Sequence, residues 1–396
     1  MTRFPLHVAY FSPLPPARSG IADYSGDLLP FLAQEVDLTL YTAEPEQVDA
    51  TLRRQFAVRP LAAFPQERWQ FDLPLYQMGN SVHHTSLYAT MRRYPGVVVL
   101  HDYFLHHFVA HTTVGQGRYD EYTRELGYDH GQTGTALAWA IRAGQAQHPL
   151  DSWPLNRHVL DLNLGVLVHS QTVADWVREV VGNGRPVQTI AQPLTPVSGE
   201  SRRNELGWPP EAIIFAAAGE VTPPKQVDRA LRAFSRLRQE GENVYFLIVG
   251  GESAEADLDS LIADLDIGSV VHRTGFVPDL AGFVDWLATA DVVVNLRAPT
   301  LGETSAVALR ALAAARPLLV YDHGWYGELP ETAVTRVPPL DDEALLAAMR
   351  RLAQSPAARQ EMGQSARHYV AGRCQPAQVA QDYRVFLEEV LRALPF

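Results

Sequence analysis

The sequence predicts an α/β protein of two Rossmann-like domains, each a parallel sheet with helices on both faces, the two sheets facing a central cleft. Three observations predict it. Short, continuous apolar runs alternate with longer helical stretches along the whole chain. A proline-bearing break at 191–199, with Pro193 and Pro196, interrupts the alternation, which then restarts. At 396 residues, 46% hydrophobic and 20% charged, the chain is too long for one ordinary core yet has the composition of a globular protein.

In the first half the runs 6–11, 36–41, 73–78, 97–100, 165–169 and 187–190 predict strands. Each is short and aliphatic or β-branched, as strands buried on both faces are. Helical patterns at 21–32, 81–93, 119–126, 133–145 and 171–181 separate them. In the second half the strands are 213–217, 244–249, 269–273, 292–295, 317–320 and 334–337. The helices there are 227–239, 256–265, 280–289, 305–315, 341–354, 356–371 and 376–394. The domains accordingly run 1–192 and 193–375, with the last helix, 376–394, packing back on the first. In such sheets ligands bind at the carboxyl ends of the strands, which makes the loops there the places to look for chemistry.

Composition narrows the function classes. The chain carries 45 acidic against 33 basic residues, a net charge of −12, and both halves are acidic. Such a surface is a poor partner for nucleic acid, so any phosphate site must be local; a peripheral membrane contact through a small basic stripe stays open. Cys374 is the single cysteine, which excludes an intramolecular disulfide framework and fits a reducing compartment. The opening residues Met1-Thr2-Arg3-Phe4-Pro5 show no signal-peptide pattern, and no apolar run reaches the roughly 20 residues of a spanning helix. A cytoplasmic protein is expected.

Four strand-end loops hold the candidate residues. The first, Pro15-Pro16-Ala17-Arg18-Ser19-Gly20-Ile21-Ala22-Asp23-Tyr24, leads from a strand into a helix. Gly20 permits close backbone approach there, although a turn capped by Ser19 reads the same way. The second places His101 and Asp102 at the end of the buried run 97–100, followed by His106 and His107. His107 and His111 are four apart on a helix, but no glutamate completes a zinc-protease pattern. The third, Gly219-Glu220-Val221-Thr222-Pro223-Pro224-Lys225, holds the one lysine in a chain with 32 arginines. A compact ammonium just beyond a strand and opening a helix stands where α/β proteins hold phosphates. The fourth runs from Asn295 and Arg297 through Gly302-Glu303-Thr304-Ser305 into another helix; a plain capping arrangement is the rival reading. Two carboxylate-x-carboxylate triplets, Asp257-Leu258-Asp259 and Asp264-Leu265-Asp266, fall in a helical pattern. Residues two apart do not share a helix face, so they read as surface.

With these loops in order, the chain resembles glycosyltransferase family 4, the retaining nucleotide-sugar enzymes of GT-B fold. The resemblance rests on Ser19-Gly20-Ile21-Ala22-Asp23-Tyr24-Ser25, Leu100-His101-Asp102, Val168-His169-Ser170, Thr274-Gly275-Phe276 and the block from Arg297 to Pro317. Pro299-Thr300-Leu301-Gly302-Glu303-Thr304-Ser305 and Gly324-Trp325-Tyr326-Gly327-Glu328-Leu329-Pro330 resemble a bacterial branch associated with polysaccharide gene clusters. The resemblance implies that His101 lies by the donor sugar and that Gly20, Gly219, Lys225, Gly302, Thr304 and Ser305 surround the donor diphosphate. It puts Phe276 and Val277 on the nucleotide-base side, and Asp23, Tyr24, Asp102 and His106 on the acceptor side. Two departures stand out. The family's Gly-Arg-x4-Lys element is here Gly219-Glu220-x4-Lys225, which leaves Arg297 as the candidate second cation. Gly302 and Arg310 occupy the positions of the family's two glutamates, with Glu303 one residue late as a catalytic substitute for the first. Arg310, on the helix behind the loop, is expected to tolerate glutamine.

The implied reaction moves a hexose from a nucleotide-diphosphate sugar, a co-substrate, to a hydroxyl of a glycan, lipid-linked or small-molecule acceptor. No metal cofactor is expected, since Lys225 and Arg297 supply the charge. The rivals are a GT-B nucleotide-sugar epimerase and a non-catalytic nucleotide- or glycan-binding protein. A dehydrogenase is disfavoured because no Gly-x-Gly-x-x-Gly follows any strand.

Overall fold

The computed structural model describes residues 6–17, 19–253 and 255–394. The opening pentapeptide and Arg18 of the first loop lie outside the described residues. The chain forms two compact units, one of residues 1–193, 301–304 and 376–396, the other of 194–300 and 305–375.

The first unit is a seven-stranded, all-parallel sheet in the order β3-β2-β1-β4-β5-β6-β7. Its strands are β1 (His7–Phe11), β2 (Asp37–Thr42), β3 (Ala57–Pro60), β4 (Leu73–Met78), β5 (Val97–Leu100), β6 (Gly165–Val168) and β7 (Val187–Thr189). The central strands are apolar on both faces and fully covered, as continuous aliphatic runs require. The edge strand β3 was not expected. Ala-Val-Arg-Pro is short and mostly exposed, and its proline suits an edge that needs no further donor. The expected helices 119–126 and 133–145 form one element, Tyr119–Arg142, interrupted at Gly131, whose φ of 61° and ψ of −140° leave the helical region.

Helix Pro376–Ala393 belongs to this unit. Val379, Ala380, Tyr383, Phe386, Leu387 and Val390 recur at helical spacing and are buried among Val8, Leu28, Val97 and Leu167. Gly165 opens β6 here for a steric reason, since a Cβ on it would lie 2.6 Å from Val390 Cγ2. Phe386→Ala should therefore cost about 3–5 kcal/mol of stability, measured by urea unfolding; a loss below about 1 kcal/mol would show that this helix is not part of the core.

The second unit is a six-stranded parallel sheet in the order β10-β9-β8-β11-β12-β13. Its strands are β8 (Ile213–Ala218), β9 (Val244–Val249), β10 (Val271–Arg273), β11 (Val292–Val294), β12 (Leu318–Tyr321) and β13 (Val334–Val337). Helix Val227–Gln239 buries Val227, Ala230, Leu231, Phe234 and Leu237, the i, i+3, i+4 stripe of a helix laid on a sheet. In both sheets the strand order reverses beside the first strand of the unit, between β1 and β4 and between β8 and β11. Those crevices are where doubly wound sheets bind ligands.

No helix among the described residues is long and apolar enough to cross a membrane.

Candidate active site

In the second unit the β8/β11 crevice gathers the basic candidates. Gly219 follows β8 with φ +82°, and Gly250 follows β9 with φ +134°. A Cβ on Gly250 would lie 2.6 Å from the Gly219 carbonyl oxygen, so only glycine lets these two backbones touch. The Lys225 loop is laced to the loop after β11. Ala298 N donates to Pro224 O (2.8 Å), and Gln226 Nε2 donates to Ala298 O (3.2 Å). Arg297 O bonds in turn to His323 Nε2 at 2.6 Å, which ties that loop to the segment after β12.

Lys225 therefore sits on a fixed frame. Its Nζ is 3.4 Å from Ala218 O, and a Cβ on Gly219 would come within 2.7 Å of it. No ion pair within 4 Å holds it among the described residues. Burial first and the neighbouring Arg297 charge second bring its pKa down from the ordinary 10.5 to about 8, with Glu220 opposing both. Lys225 and Arg297 are thus near enough to repel each other. Glu220 is exposed and only partly offsets them.

Continuing along the sheet, Gly251 brings the β9 loop beside Phe276, which follows β10. Phe276 is 57% exposed, whereas Val277 packs on the core. Phe276, Gly251, Gly250, Gly219, Lys225 and Arg297 thus form one array across the carboxyl ends of β10, β9, β8 and β11. Ser305 caps helix Ala306–Ala313, its Oγ accepting from Ala308 N (3.1 Å), so the capping reading holds for its hydroxyl. Arg310 is only 7% exposed. That corrects its expected tolerance of glutamine, because a buried guanidinium is not a surface charge.

Leu301–Thr304 group with the first unit, whereas Lys225 and Arg297 belong to the second. Tyr103 N and Phe104 N both donate to Leu301 O (3.1 Å), and Gln192 Nε2 donates to Thr304 Oγ1. At Gly302, φ +82°, a Cβ would meet Tyr103 Cβ at 2.6 Å and Val173 at 3.0 Å. Packing against Tyr103 and Val173 is a sufficient reason for glycine at this position, whatever its place relative to a diphosphate. The Glu303 carboxylate accepts from Leu301 N at 2.7 Å, which fixes the loop on itself.

At the β1/β4 crevice of the first unit, Gly20 is the first residue of helix Gly20–Leu32, with Ser19 as cap accepting from Ile21 N (3.2 Å). Among the described residues nothing lies within 4 Å of a Cβ built on Gly20. Asp23 is exposed on its first turn. His101 ends β5 at 8% exposure, its Nε2 donating to Gln77 Oε1 at 2.8 Å. The Tyr24 and His169 rings flank it, with centroids at 4.7 and 5.0 Å. Burial, with His169 second, holds His101 well below the ordinary histidine range, and burial takes His169 down to about 4. Both rings are neutral at pH 7. Asp102 accepts from Asn80 N (2.8 Å), joining the β4 and β5 loops.

Two acceptor-side expectations are corrected. Tyr24 is 5% exposed and its hydroxyl is paired with that of Tyr383, so it is a core residue. His106 is 0% exposed, with Nδ1 on Trp153 O (2.9 Å) and Nε2 on Tyr122 OH (2.6 Å), leaving no nitrogen for a ligand. Sequence reasoning missed Gln77, His323 and the Gly250-Gly251 pair; only the paired glycines directly after a strand carried a readable signal. Among the described residues no group of three or more His, Cys, Asp and Glu is placed to hold a metal ion. Of the triplets, Asp257 caps Ser260 N (3.1 Å) and Asp259 pairs with Arg273 (2.6 Å).

Two parallel Rossmann-like sheets, each with its ligand crevice at the strand carboxyl ends, define the GT-B class. Residues 199–369 match the family model described as glycosyl transferases group 1. The chain is 28% identical over 173 residues to alpha-D-kanosaminyltransferase of Streptomyces kanamyceticus, covering 42% of this chain and 44% of the relative. It is 31% identical over 191 residues to D-inositol 3-phosphate glycosyltransferase of Saccharomonospora viridis, covering 44% and 42%. The chain thus spans less than half the length of these curated relatives. Among solved structures, HepE of Anabaena, crystallised with UDP and glucose, superposes with a TM-score of 0.66 at 14% identity, over 97% of this chain and 100% of that one. Sucrose-phosphate synthase of Thermosynechococcus elongatus gives 0.69 at 16%, over 98% and 100%. These likenesses establish the fold, and the family match supports a transferase.

Proposed function

We propose that the chain is a retaining glycosyltransferase that moves a sugar from a nucleotide-diphosphate donor to an acceptor hydroxyl without a metal ion. The observation that carries this reading is the array across the second sheet. Phe276 offers an exposed ring for a base, the touching Gly219 and Gly250 backbones bring the β8 and β9 ends together beside Lys225, and Lys225 with Arg297 offers charge to a diphosphate. The barrier to transfer is departure of the diphosphate from a carbon that becomes oxocarbenium-like. Charge grows on the leaving oxygens, and fixed cations stabilise it without reorganising. A front-face path, in which the leaving phosphate helps deprotonate the acceptor, needs no protein nucleophile. Neutral His101 at the β5 end is assigned to hydrogen-bond the donor sugar. A cytoplasmic location and an acceptor that is a glycan, a lipid-linked sugar or a small molecule belong to the same reading.

The test is nucleotide release from a panel of sugar nucleotides, with and without acceptors, followed by the anomeric configuration of the product. Acceptor-dependent release with the configuration retained is expected; release without any acceptor points to a different reaction. Turnover should persist in excess chelator. Activity lost with chelator and restored by magnesium or manganese would overturn metal independence.

The Lys225 environment adds a pH dependence. In the free protein its pKa is depressed to about 8, so the ammonium is lost as pH rises through that value. A bound diphosphate favours the charged form, so binding takes up a proton above pH 8, and affinity should fall as pH climbs from 8 towards 10. Calorimetry in buffers of different ionisation enthalpy reads this uptake. Affinity independent of pH across that window would exclude Lys225 from the diphosphate site.

A further inference from the structure

At the opposite end of the second sheet lies a cavity of about 360 Å³. Its walls are the segment after the chain enters the second unit, with Ser198, the turn leading into β12, with Arg316, and helix Pro356–Arg373, with Arg367, closed by Gln375. Because Arg316 precedes β12, this cavity is at the amino ends of the strands, whereas the Lys225 array is at their carboxyl ends. It is a separate place in the fold.

Its charge is out of balance. Arg316 Nε is buried and has no hydrogen-bond partner among the described residues, and no carboxylate lies within ion-pair distance of this guanidinium. The one carboxylate whose field it feels is Asp291. That carboxylate is already engaged by Arg203 Nη2 (2.5 Å) and Ile214 N (2.8 Å). Arg359 feels the same Asp291, and spends its Nη1 on the carbonyls of Leu352 and Ala353. Three guanidiniums therefore share one carboxylate. Arg367, exposed on the cavity wall, adds a fourth cation with no ion pair of its own among the described residues. A guanidinium does not neutralise by losing a proton, so the excess positive charge stays, in a chain whose net charge is −12. The frame is rigid. Gly363 lets the helix touch the turn, since a Cβ there would lie 2.4 Å from Ala315 O.

We propose that this cavity is a second anion site, which takes a small phosphate-bearing molecule through Arg316 and Arg367. The planar fork of an arginine matches phosphate oxygens pairwise, and Ser198 adds a hydroxyl at the wall. The volume is that of a small-ligand pocket rather than of a bare ion, which favours a phosphate monoester over free phosphate.

The experiment is calorimetric titration with inorganic phosphate and, separately, glycerol 3-phosphate, on Lys225→Ala protein, in which the first site is weakened and does not respond to changes at Arg316 or Arg367. Saturable binding is expected at millimolar concentration or below, tighter for the monoester. It should weaken about tenfold or more in both Arg316→Ala and Arg367→Ala, each added to Lys225→Ala. Arg367 is exposed, so its variant keeps the test open should Arg316→Ala not fold. No saturable binding of either probe, or binding unchanged by Arg367→Ala, would overturn the proposal. Because the readout is the response to Arg316→Ala and Arg367→Ala, the result does not depend on the transferase reading.

Discussion

Lys225→Ala should lower turnover about 10²–10³-fold, equivalent to about 2.7–4 kcal/mol of lost transition-state stabilisation, while the protein keeps its fold. The size follows from the setting. An ammonium surrounded by protein, with its pKa brought down to about 8, is poorly solvated, and its charge is worth more to a leaving diphosphate than that of a surface lysine. The fold should survive because, among the described residues, no ion pair is broken and the only side-chain hydrogen bond lost is the 3.4 Å contact to Ala218 O. Steady-state kinetics beside a thermal melt separates the two effects. Near-normal kcat/KM in a folded variant would remove Lys225 from the chemistry.

Arg297→Ala should cost about as much, because Glu220 stands where the resemblance to family 4 expects an arginine, and Arg297 is the cation that Lys225 feels. Its carbonyl bond to His323 and the Ala298–Pro224 link are made by backbone, and alanine preserves them. A thermal melt beside the kinetics separates loss of the guanidinium's charge from a collapsed loop. Arg297→Lys should recover only part of the rate, since a point charge cannot make paired contacts to two oxygens. Full activity in Arg297→Ala would mean that the leaving group is stabilised by other residues.

The second sheet was largely legible because its signals are local. Helices Val227–Gln239 and Leu280–Thr289 and strand β9 have the limits that their apolar periods predict. Lys225 and Phe276 could be assigned to the carboxyl-end loops of β8 and β10 because each lies within a few residues of a strand end. What could not be read is which way a side chain turns once it leaves a strand end. Tyr24 and His106 sit in loops that read as accessible, yet Tyr24 is paired with Tyr383, 359 residues away, and His106 with the Trp153 carbonyl and Tyr122. Gly302 looks like a phosphate-loop glycine, but contacts with Tyr103 and Val173 require it. Long-range packing of this kind leaves no periodic trace, and a burial-driven role imitates a functional one. Edge strand β3 was missed for the converse reason: being exposed, it needs no apolar run.

The most direct measurement is calorimetric titration of the chain with nucleoside diphosphates, since binding at the Lys225–Arg297 array precedes any transfer and needs no acceptor. One nucleoside diphosphate should bind saturably, with proton uptake above pH 8, and about tenfold or more weakly in Lys225→Ala and in Arg297→Ala. Binding that both variants leave unchanged, or no binding of any nucleoside diphosphate, would contradict it.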